Sequence, residues 1–371
     1  MGAADDRRFM ARALELSRRN TGLTGTNPSV GCVIVKDGEV VGEAVTAPGG
    51  RPHAETQALE NAGEKARGAT AYVTLEPCSH YGRTPPCANA LVEAGVARVV
   101  VSLTDPDPRV SGRGLAILRE AGIAVESGLM QDEGRRALAG YLMRQTRGRP
   151  YVTLKLAVSA NGKLGRRGEE VSITGPDARN AVHRLRAQSD AILVGIGTAL
   201  SDDPELTVRI PGLEDRSPVR IVLDRRLQLP PESKLVRTAK DVPVIVVASS
   251  RSIMPRSTMP DGTEGDEPVD RRKALEGSGV EIMDSSDLDV LLAVFAARGI
   301  SSLLVEGGAL VAKAFLDAGL VDRILLFQGT GVVGTGGLES PVTPSDMPQE
   351  FKLIREEAFG PDRCFEYERG F

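Results

Sequence analysis

Apolar positions along the chain change rhythm at short, regular intervals. Residues 5–20 place Phe9, Ala13 and Leu16 on one side of a helix, the spacing of an amphipathic surface element. Val30 to Val35 is a continuous apolar run, Lys36-Asp37-Gly38 has the composition of a hairpin turn, and Val40 to Ala44 is its return strand. The pattern next predicts a helix from Glu55 to Asn61 and a buried strand from Ala71 to Leu75 that ends just before Pro77-Cys78. A helix from Cys87 to Ala94, a strand from Arg98 to Leu103, a helix from Gly114 to Ala121 and a strand opening at Ala124-Val125 follow. Strands and helices alternating in this way predict a layered α/β sheet.

The pattern breaks around Thr146-Arg147-Gly148-Arg149-Pro150 and restarts with a strand at Tyr151 to Val158. Residues 1–147 and 148–371 are therefore expected to form two domains, as a length of 371 also suggests. The second half predicts helices over 177–188, 287–297 and 309–318. Its predicted strands are Ala191 to Val194, Arg220 to Leu223, Val242 to Ala248, Ser302 to Val305 and Arg323 to Phe327. Residues 254–278 are rich in Pro, Gly, Ser and charge and read as a loop or insertion.

Composition narrows the function classes. Aromatics are 4% with no Trp, so the cores must be built from Val, Leu, Ile and Ala. A formal net charge of −4 gives no basic footprint for nucleic acid or an anionic membrane. Four cysteines do not make a disulfide framework. Cys32 lies in an apolar run and reads as a small buried hydrophobe, whereas Cys364 receives no role. Met1 to Arg12 has no apolar core of a secretory signal, and no apolar run is long enough to span a bilayer. A cytoplasmic chain is expected.

The chemistry of the first half gathers in His53-Ala54-Glu55, Pro77-Cys78 and Cys87. One imidazole, two thiolates and a Glu two positions after the His follow the H-x-E…P-C-x-x-C pattern of zinc deaminases, in which the Glu moves protons and does not bind metal. Eight residues separate the cysteines here, where that pattern has two. Three protein ligands would leave the fourth position of Zn²⁺ to a water, as catalytic zinc requires, and zinc brings the pKa of such a water near neutrality. Glu55 is then placed to take the water proton and pass it to a departing amine. Cys87, right after Pro85-Pro86 at a helix start, is expected to gain thiolate character from the helix terminus. Spacing alone leaves a structural zinc closed by His80, or a metal-free cysteine pair, as open as catalytic zinc.

Longer strings change the weighting. Residues 53–59 (HAETQAL) and 72–87 (YVTLEPCSHYGRTPPC), with 27–31 (NPSVG) and 105–108 (DPDP), closely resemble the pyrimidine deaminase family of riboflavin biosynthesis. The long segment between the cysteines is a hallmark of that family. The resemblance implies that His53, Cys78 and Cys87 hold Zn²⁺, that Glu55 is the proton shuttle, and that Asn27, His80 and Arg83 lie near substrate. Asn offers a donor and an acceptor to a pyrimidine edge or ribose hydroxyl, and Arg grips phosphate with two bonds.

The second half has no GxGxxG fingerprint. Gly195-Ile196-Gly197-Thr198 and Glu306-Gly307-Gly308 each join a strand to a helix, which suits either backbone approach to a phosphate or a tight turn without ligand. Residues 155–163 (KLAVSANGK), 185–198 (LRAQSDAILVGIGT), 202–209 (DDPELTVR) and 305–308 (VEGG) resemble the reductase domain of the same pathway. The resemblance covers nearly the whole chain and implies an α/β protein: an N-terminal cytidine-deaminase-like three-layer domain followed by a C-terminal dihydrofolate-reductase-like domain. It places Ala157, Ser172, Thr198, Asp202 and Gly308 at NADPH, and Lys155, Glu170, Arg186, Leu206, Arg209 and Glu306 at the ribosyl phosphate substrate. Zinc-dependent deamination of 2,5-diamino-6-ribosylamino-4(3H)-pyrimidinone 5′-phosphate, then NADPH-dependent reduction of ribosyl to ribityl, is the implied chemistry. The implied partners are this phosphorylated pyrimidine and further copies of the chain in a homo-oligomer.

Three positions depart from the family pattern. Asn161 stands in Ser159-Ala160-Asn161-Gly162 where Asp is usual, Glu170-Val171-Ser172 replaces a stretch with Ser and Trp, and Arg225 replaces a frequent Ser. Two rival functions carry different expectations. A nucleic-acid base deaminase predicts a basic groove and salt-sensitive binding, which the net charge opposes. A zinc-stabilised scaffold closed by His80 predicts that Glu55 is dispensable.

Overall fold

The computed structural model of the chain describes residues 2–81, 85–166, 171–249 and 267–370. It divides into two compact units, Met1–Gly148 and Arg149–Phe371. No helix among the described residues is long and apolar enough to cross a membrane.

In chain order the first unit contains α1 (Ala3–Ser17), β1 (Gly31–Lys36), β2 (Glu39–Val45), α2 (Ala54–Ala62), β3 (Thr70–Leu75), α3 (Cys87–Glu93), β4 (Arg98–Leu103), α4 (Arg113–Glu120), β5 (Ala124–Ser127), α5 (Gln131–Ala137) and α6 (Ala139–Arg147). The strands form one sheet in the order β2-β1-β3-β4-β5, antiparallel through β2, β1 and β3 and parallel from β3 to β5. The β1–β2 turn is tight because Asp37 and Gly38 both take positive φ, 52° and 83°, as a primed two-residue hairpin demands.

Successive strand side chains point to opposite faces, and each face is covered. Val33, Val35, Tyr72 and Val100 meet Phe9, Met10, Ala13 and Leu14 of α1. Cys32, Ile34, Ala71, Val73, Val99 and Val101 meet Ala54, Ala58, Ala88, Leu91, Leu115 and Leu118 of α2, α3 and α4. The result is the expected three-layer arrangement, and Cys32 is fully buried in it as the sequence suggested.

The second unit runs β6 (Tyr151–Val158), β7 (Lys163–Arg166), α7 (Pro176–Ala187), β8 (Ala191–Gly195), α8 (Ile196–Asp202), β9 (Val219–Leu223), α9 (Lys234–Arg237), β10 (Val244–Ala248), α10 (Glu267–Gly277), β11 (Glu281–Asp284), α11 (Leu288–Ala297), β12 (Ser302–Val305), α12 (Ala309–Asp317), β13 (Arg323–Gln328), β14 (Gly337–Glu339), β15 (Phe351–Phe359) and β16 (Asp362–Arg369). Nine strands pair in the order β11-β10-β9-β8-β12-β6-β13-β16-β15. The ladder is parallel through β13 and antiparallel at β16 and β15. Leu291, Leu292, Phe295, Ala312 and Phe315 of α11 and α12 cover one face, and Leu235, Val236 and Leu275 of α9 and α10 cover part of the other.

Two readings need correction. The loop expected over 254–278 is a helix from Glu267 onward; the rest of that stretch lies outside the described residues. Leu275, only 1% exposed, anchors this helix, and Arg272 pairs with Glu276 at 3.0 Å one turn on. Packing of a single apolar side chain thus outweighs a composition that looks loop-like. Helices α5, α6 and α9 and strands β7, β11 and β14 to β16 go unread in the pattern. Strand β15 is exposed at seven successive positions and so shows no alternation of apolar and polar residues.

Arg220 on β9 is fully buried. Its Nη1 donates to the Glu205 carbonyl at 3.1 Å and the Thr238 hydroxyl at 2.8 Å, and its Nη2 donates to the carbonyls of Thr238 and Val242. Burial pushes its pKa down to about 10. Replacing it strands several buried acceptors. Arg220→Met is expected to lower the unfolding free energy by roughly 3–5 kcal/mol, read from urea midpoints of the full chain. A loss below about 1 kcal/mol would show that the acceptors find other partners.

Candidate active site

Three element boundaries bring the predicted zinc ligands together. His53 is the N-cap of α2, Cys78 lies three residues beyond the end of β3, and Cys87 opens α3 after the cap residue Pro86. Nδ1 of His53 lies 3.3 Å from Sγ of Cys87 and 3.7 Å from Sγ of Cys78. The three ligand atoms lie within 4.8 Å of one another, and among the described residues no other group of His, Cys, Asp or Glu forms such a cluster. Two sulfurs and an imidazole nitrogen are a tetrahedral zinc donor set lacking one ligand. His80, the residue that would close it, is not in the cluster. These residues therefore fit an open zinc site.

The electrostatics of the cluster follow from burial. Glu55, in the first turn of α2, is 3% exposed. Loss of solvent, reinforced by the Cys78 thiolate, raises its pKa to about 7. Cys78 is held at about 4, chiefly by the Cys87 thiol donating to it, and it also accepts the backbone N–H of Cys87 at 3.3 Å. Cys87 is pushed up by that same contact and by burial. The expectation that the helix start would favour a Cys87 thiolate is thus redirected: the α3 amide points at the other sulfur, and Cys78 takes the charge.

A cleft opens beside this cluster, lined by Asn27, Arg51, His53, Glu55, Glu76, Cys78, His80, Asp105, Asp107, Arg109, Tyr141 and Arg144 among others. Asn27 is seated against Gly50, whose φ is +86°; a Cβ there would stand 2.3 Å from Asn27 Nδ2. Nδ1 of His80 is buried without a hydrogen-bond partner, so this ring has an atom still to satisfy in the cleft. Arg83, expected here too, lies outside the described residues. Asp105, Asp107, Tyr141 and Arg144 received no role from the sequence. The first two sit in the DPDP string, and the last two sit on α6, where Leu142 and the cap residue Leu138 carry an apolar signal at helical spacing.

In the second unit, Lys155 of β6, Arg186 of α7 and Glu306 after β12 converge. Arg186 makes a bidentate pair with Glu306, Nε to Oε1 at 2.7 Å and Nη2 to Oε2 at 3.0 Å, and Lys155 Nζ lies 3.9 Å from Glu306 Oε2. Burial works to raise the Glu306 carboxyl, but the two cations hold it below the usual range. Burial pushes Lys155 below the usual lysine range, against the pull of Glu306. Leu206 is buried at a left-handed φ of 57°. Arg209 reaches Glu205 at 3.2 Å with its side chain 59% exposed, and its backbone N–H donates to His183 Nδ1 at 3.3 Å. His183, between these arginines, received no role from the sequence.

The expected cofactor residues are more scattered. Thr198 and Gly308 adjoin, since a Cβ on Gly308 would lie 3.3 Å from Thr198 Oγ1. Gly308 caps α12, Asp202 ends α8, and Ala157 packs beside Phe327 and Cys364. Ser172 accepts from Arg179 at 3.0 Å, and Glu170 lies outside the described residues. Gly195 and Gly307 have a packing reason as well, because a Cβ on either would come within 2.8 Å of the Val311 side chain. Asn161 accepts from Val333 N at 3.1 Å and donates to Val333 O at 2.8 Å. Asp in that place could not supply the second bond, so the departure from the family pattern serves loop anchoring.

Comparison with known proteins finds a match for each unit. Residues 3–103 match the cytidine and deoxycytidylate deaminase zinc-binding region, and residues 150–365 match the RibD C-terminal domain. The riboflavin biosynthesis protein RibD of Escherichia coli K12 is 44% identical over 97% of this chain and 98% of its own length. That of Aquifex aeolicus is 40% identical over 89% and 88%. Among solved structures, Acinetobacter baumannii RibD matches with a TM-score of 0.83 at 37% identity. A Thermotoga maritima diaminohydroxyphosphoribosylaminopyrimidine deaminase/5-amino-6-(5-phosphoribosylamino)uracil reductase matches at 0.82 and 33%, and each of these two structures covers 99% of both chains. Similarity of this extent across both halves means that the chain belongs to the RibD family of riboflavin biosynthesis proteins.

Proposed function

We propose that the two units catalyse consecutive reactions: hydrolytic deamination of 2,5-diamino-6-ribosylamino-4(3H)-pyrimidinone 5′-phosphate in the first, and NADPH-dependent reduction of its ribosyl group to ribityl in the second. The observation that carries the reading is the convergence of His53, Cys78 and Cys87 beside a buried Glu55, with no fourth protein ligand among the described residues. His53, Cys78 and Cys87 would hold zinc, which when bound supplies the Lewis acidity that activates water at neutral pH.

Glu55 does the proton work. A buried carboxyl in the first turn of α2, two residues from His53, is placed to take a proton from water and return it to a leaving nitrogen. Water adds its oxygen at the amine-bearing C2, Glu55 carries a proton from that water to the amine nitrogen, and the C2–N bond breaks to release ammonia. Asn27 and His80 orient the ring and its hydroxyls, and Arg83 grips the phosphate.

In the second unit Ala157, Ser172, Thr198, Asp202 and Gly308 would line the cofactor site, and NADPH supplies the hydride. The ring oxygen released from C1′ in this reduction would need a proton. Lys155 provides it, and Glu306, braced by Arg186, sets the orientation of that ammonium. Leu206, Arg209 and Glu170 complete the ribosyl phosphate pocket. The reading includes a cytoplasmic homo-oligomer, drawn from family resemblance and checked by sedimentation of the purified chain.

Glu55→Gln is expected to lower deamination by about 10²–10⁴-fold while zinc content and NADPH oxidation stay at the wild-type level. Retained deamination would overturn the assignment and restore the scaffold reading. Reduction should also fail on its alkaline side. Lys155 loses its proton below the usual lysine range, so kcat for reduction is expected to drop at a correspondingly lower pH. A profile flat into the ordinary lysine range would remove Lys155 as the donor.

A further inference from the structure

Residues 203–209 follow α8, have no regular secondary structure and carry Leu206 and Arg209. Two of their non-glycine positions take left-handed φ, 36° at Asp203 and 57° at Leu206. Backbone of this kind persists only where its surroundings over-determine it. With no ladder to join, the polar groups of the segment must be met by side chains and neighbouring loops.

The Lys234 N–H donates to Asp203 Oδ1 at 2.9 Å, Arg220 Nη1 to the Glu205 carbonyl at 3.1 Å, and Arg186 Nη1 to the Thr207 carbonyl at 3.3 Å. The Val208 N–H donates to Ser217 Oγ at 3.0 Å. The tie at the end of the segment, from the Arg209 N–H to His183 Nδ1 at 3.3 Å, differs in kind because its acceptor titrates near neutral pH. Nδ1 accepts only in the neutral ring, whose proton then sits on Nε2. In the imidazolium both nitrogens donate, so an N–H would face an N–H and the tie would be lost. His183 is half-buried on α7, one turn before Arg186. The charged groups that act on it are Arg186 on its own helix, Arg209 on the segment and Glu306 beyond β12. Burial and the two guanidiniums hold its pKa below the usual imidazole range, against the pull of Glu306 and the Thr207 backbone. The ring is therefore neutral and accepting at neutral pH.

We propose that His183 is a positioning residue for the reduction: by accepting the Arg209 amide it fixes the end of this segment, and with it the direction in which Arg209 meets the ribosyl phosphate. The inference rests on the reductase reading above, which places Leu206 and Arg209 at that substrate. The Arg209 side chain is 59% exposed and reaches only along its own segment, to Glu205 at 3.2 Å. Its aim therefore depends on where its backbone is held, and the backbone bond to α7 is what holds it.

The test compares wild type with His183→Ala and His183→Asn in the full chain, following NADPH oxidation with the deaminated ribosylaminopyrimidine 5′-phosphate between about pH 5 and about pH 8. Asn Oδ1 can accept the same amide and does not titrate. At the alkaline end His183→Ala is expected to raise KM for this substrate by about 3–10-fold while kcat moves less than about twofold, and His183→Asn should recover most of the loss. Toward acid, on the acidic side of the ordinary imidazole range, kcat/KM of wild type should fall about 3–10-fold further than that of His183→Asn. Both share the titration of the substrate phosphate, so the difference between the two profiles belongs to the ring, and it decides the matter whether or not His183→Ala folds. Parallel profiles, or a wild-type KM in His183→Ala, would overturn the assignment. A wild-type kcat/KM that rises toward acid relative to His183→Asn would mean that the imidazolium grips the phosphate itself, and overturns it as well. A wild type that oxidises no NADPH with this compound at any pH would sink the reductase reading, so the two failures are distinguishable.

Discussion

The first unit depends on removing a carboxylate and a sulfur from water at one seam, beside a half-buried imidazole and a second, half-buried sulfur. Ala54, Ala58 and Ala88, all fully buried, let α2 and α3 close on the sheet and bring their first residues together. That packing excludes solvent from Glu55 and Cys87, and the consequences are electrostatic. Each buried anion raises the proton affinity of the next, so the protein groups alone settle with the charge on Cys78 and with Glu55 near neutrality. A divalent cation offsets the burial of these groups. The alanines are therefore as much a part of the site as the ligands, because larger side chains would admit water and lift the penalty that tunes Glu55.

The second unit meets the same difficulty without a metal. Glu306 is buried between Arg186 and Lys155, two cations against one anion. Burial lowers the proton affinity of Lys155, Glu306 opposes it, and the Arg186 guanidinium adds a smaller push in the direction of burial. Bidentate geometry matters here, since it fixes the carboxylate plane and leaves Lys155 the outer oxygen. Arg186, expected at the ribosyl phosphate substrate, has two of its donors on Glu306.

Much of the first site is legible in the sequence because its residues sit at element boundaries. A His before an apolar helical run, and a Cys after a strand, can be placed without knowing the tertiary fold. Residues that reach the site from elsewhere are not legible in this way. Tyr141 and Arg144 enter the cleft only because α6 packs back on the sheet, and Arg98 reaches Asp6 across 92 positions in sequence. The glycines of the second half mislead for the opposite reason. Gly195 and Gly307 carry the look of a phosphate loop, but Val311 of α12 occupies the space that a side chain would need. Strands β15 and β16 are obscured because β15 is solvated on both faces and presents no rhythm to detect.

Both sites lie beyond the carboxyl ends of parallel strands, and this has a physical cause. Glu76 and Cys78 follow β3, Asp105 follows β4, Gly195 ends β8, and Glu306 follows β12. At that edge the chain leaves one layer and turns into a helix, so its backbone amides are not used by the ladder. Glu76 shows how those amides are used. Its buried carboxylate accepts from the amides of Asp105, Gly112 and Gly114 at 3.2, 2.9 and 2.9 Å. One side chain thus ties the segment after β4 to the strand end that bears Cys78. The wall of the cleft and Cys78 share this support, and Ser79 adds a second link by donating from Oγ to the Arg109 carbonyl at 3.2 Å, so a shift of either would be felt by the other.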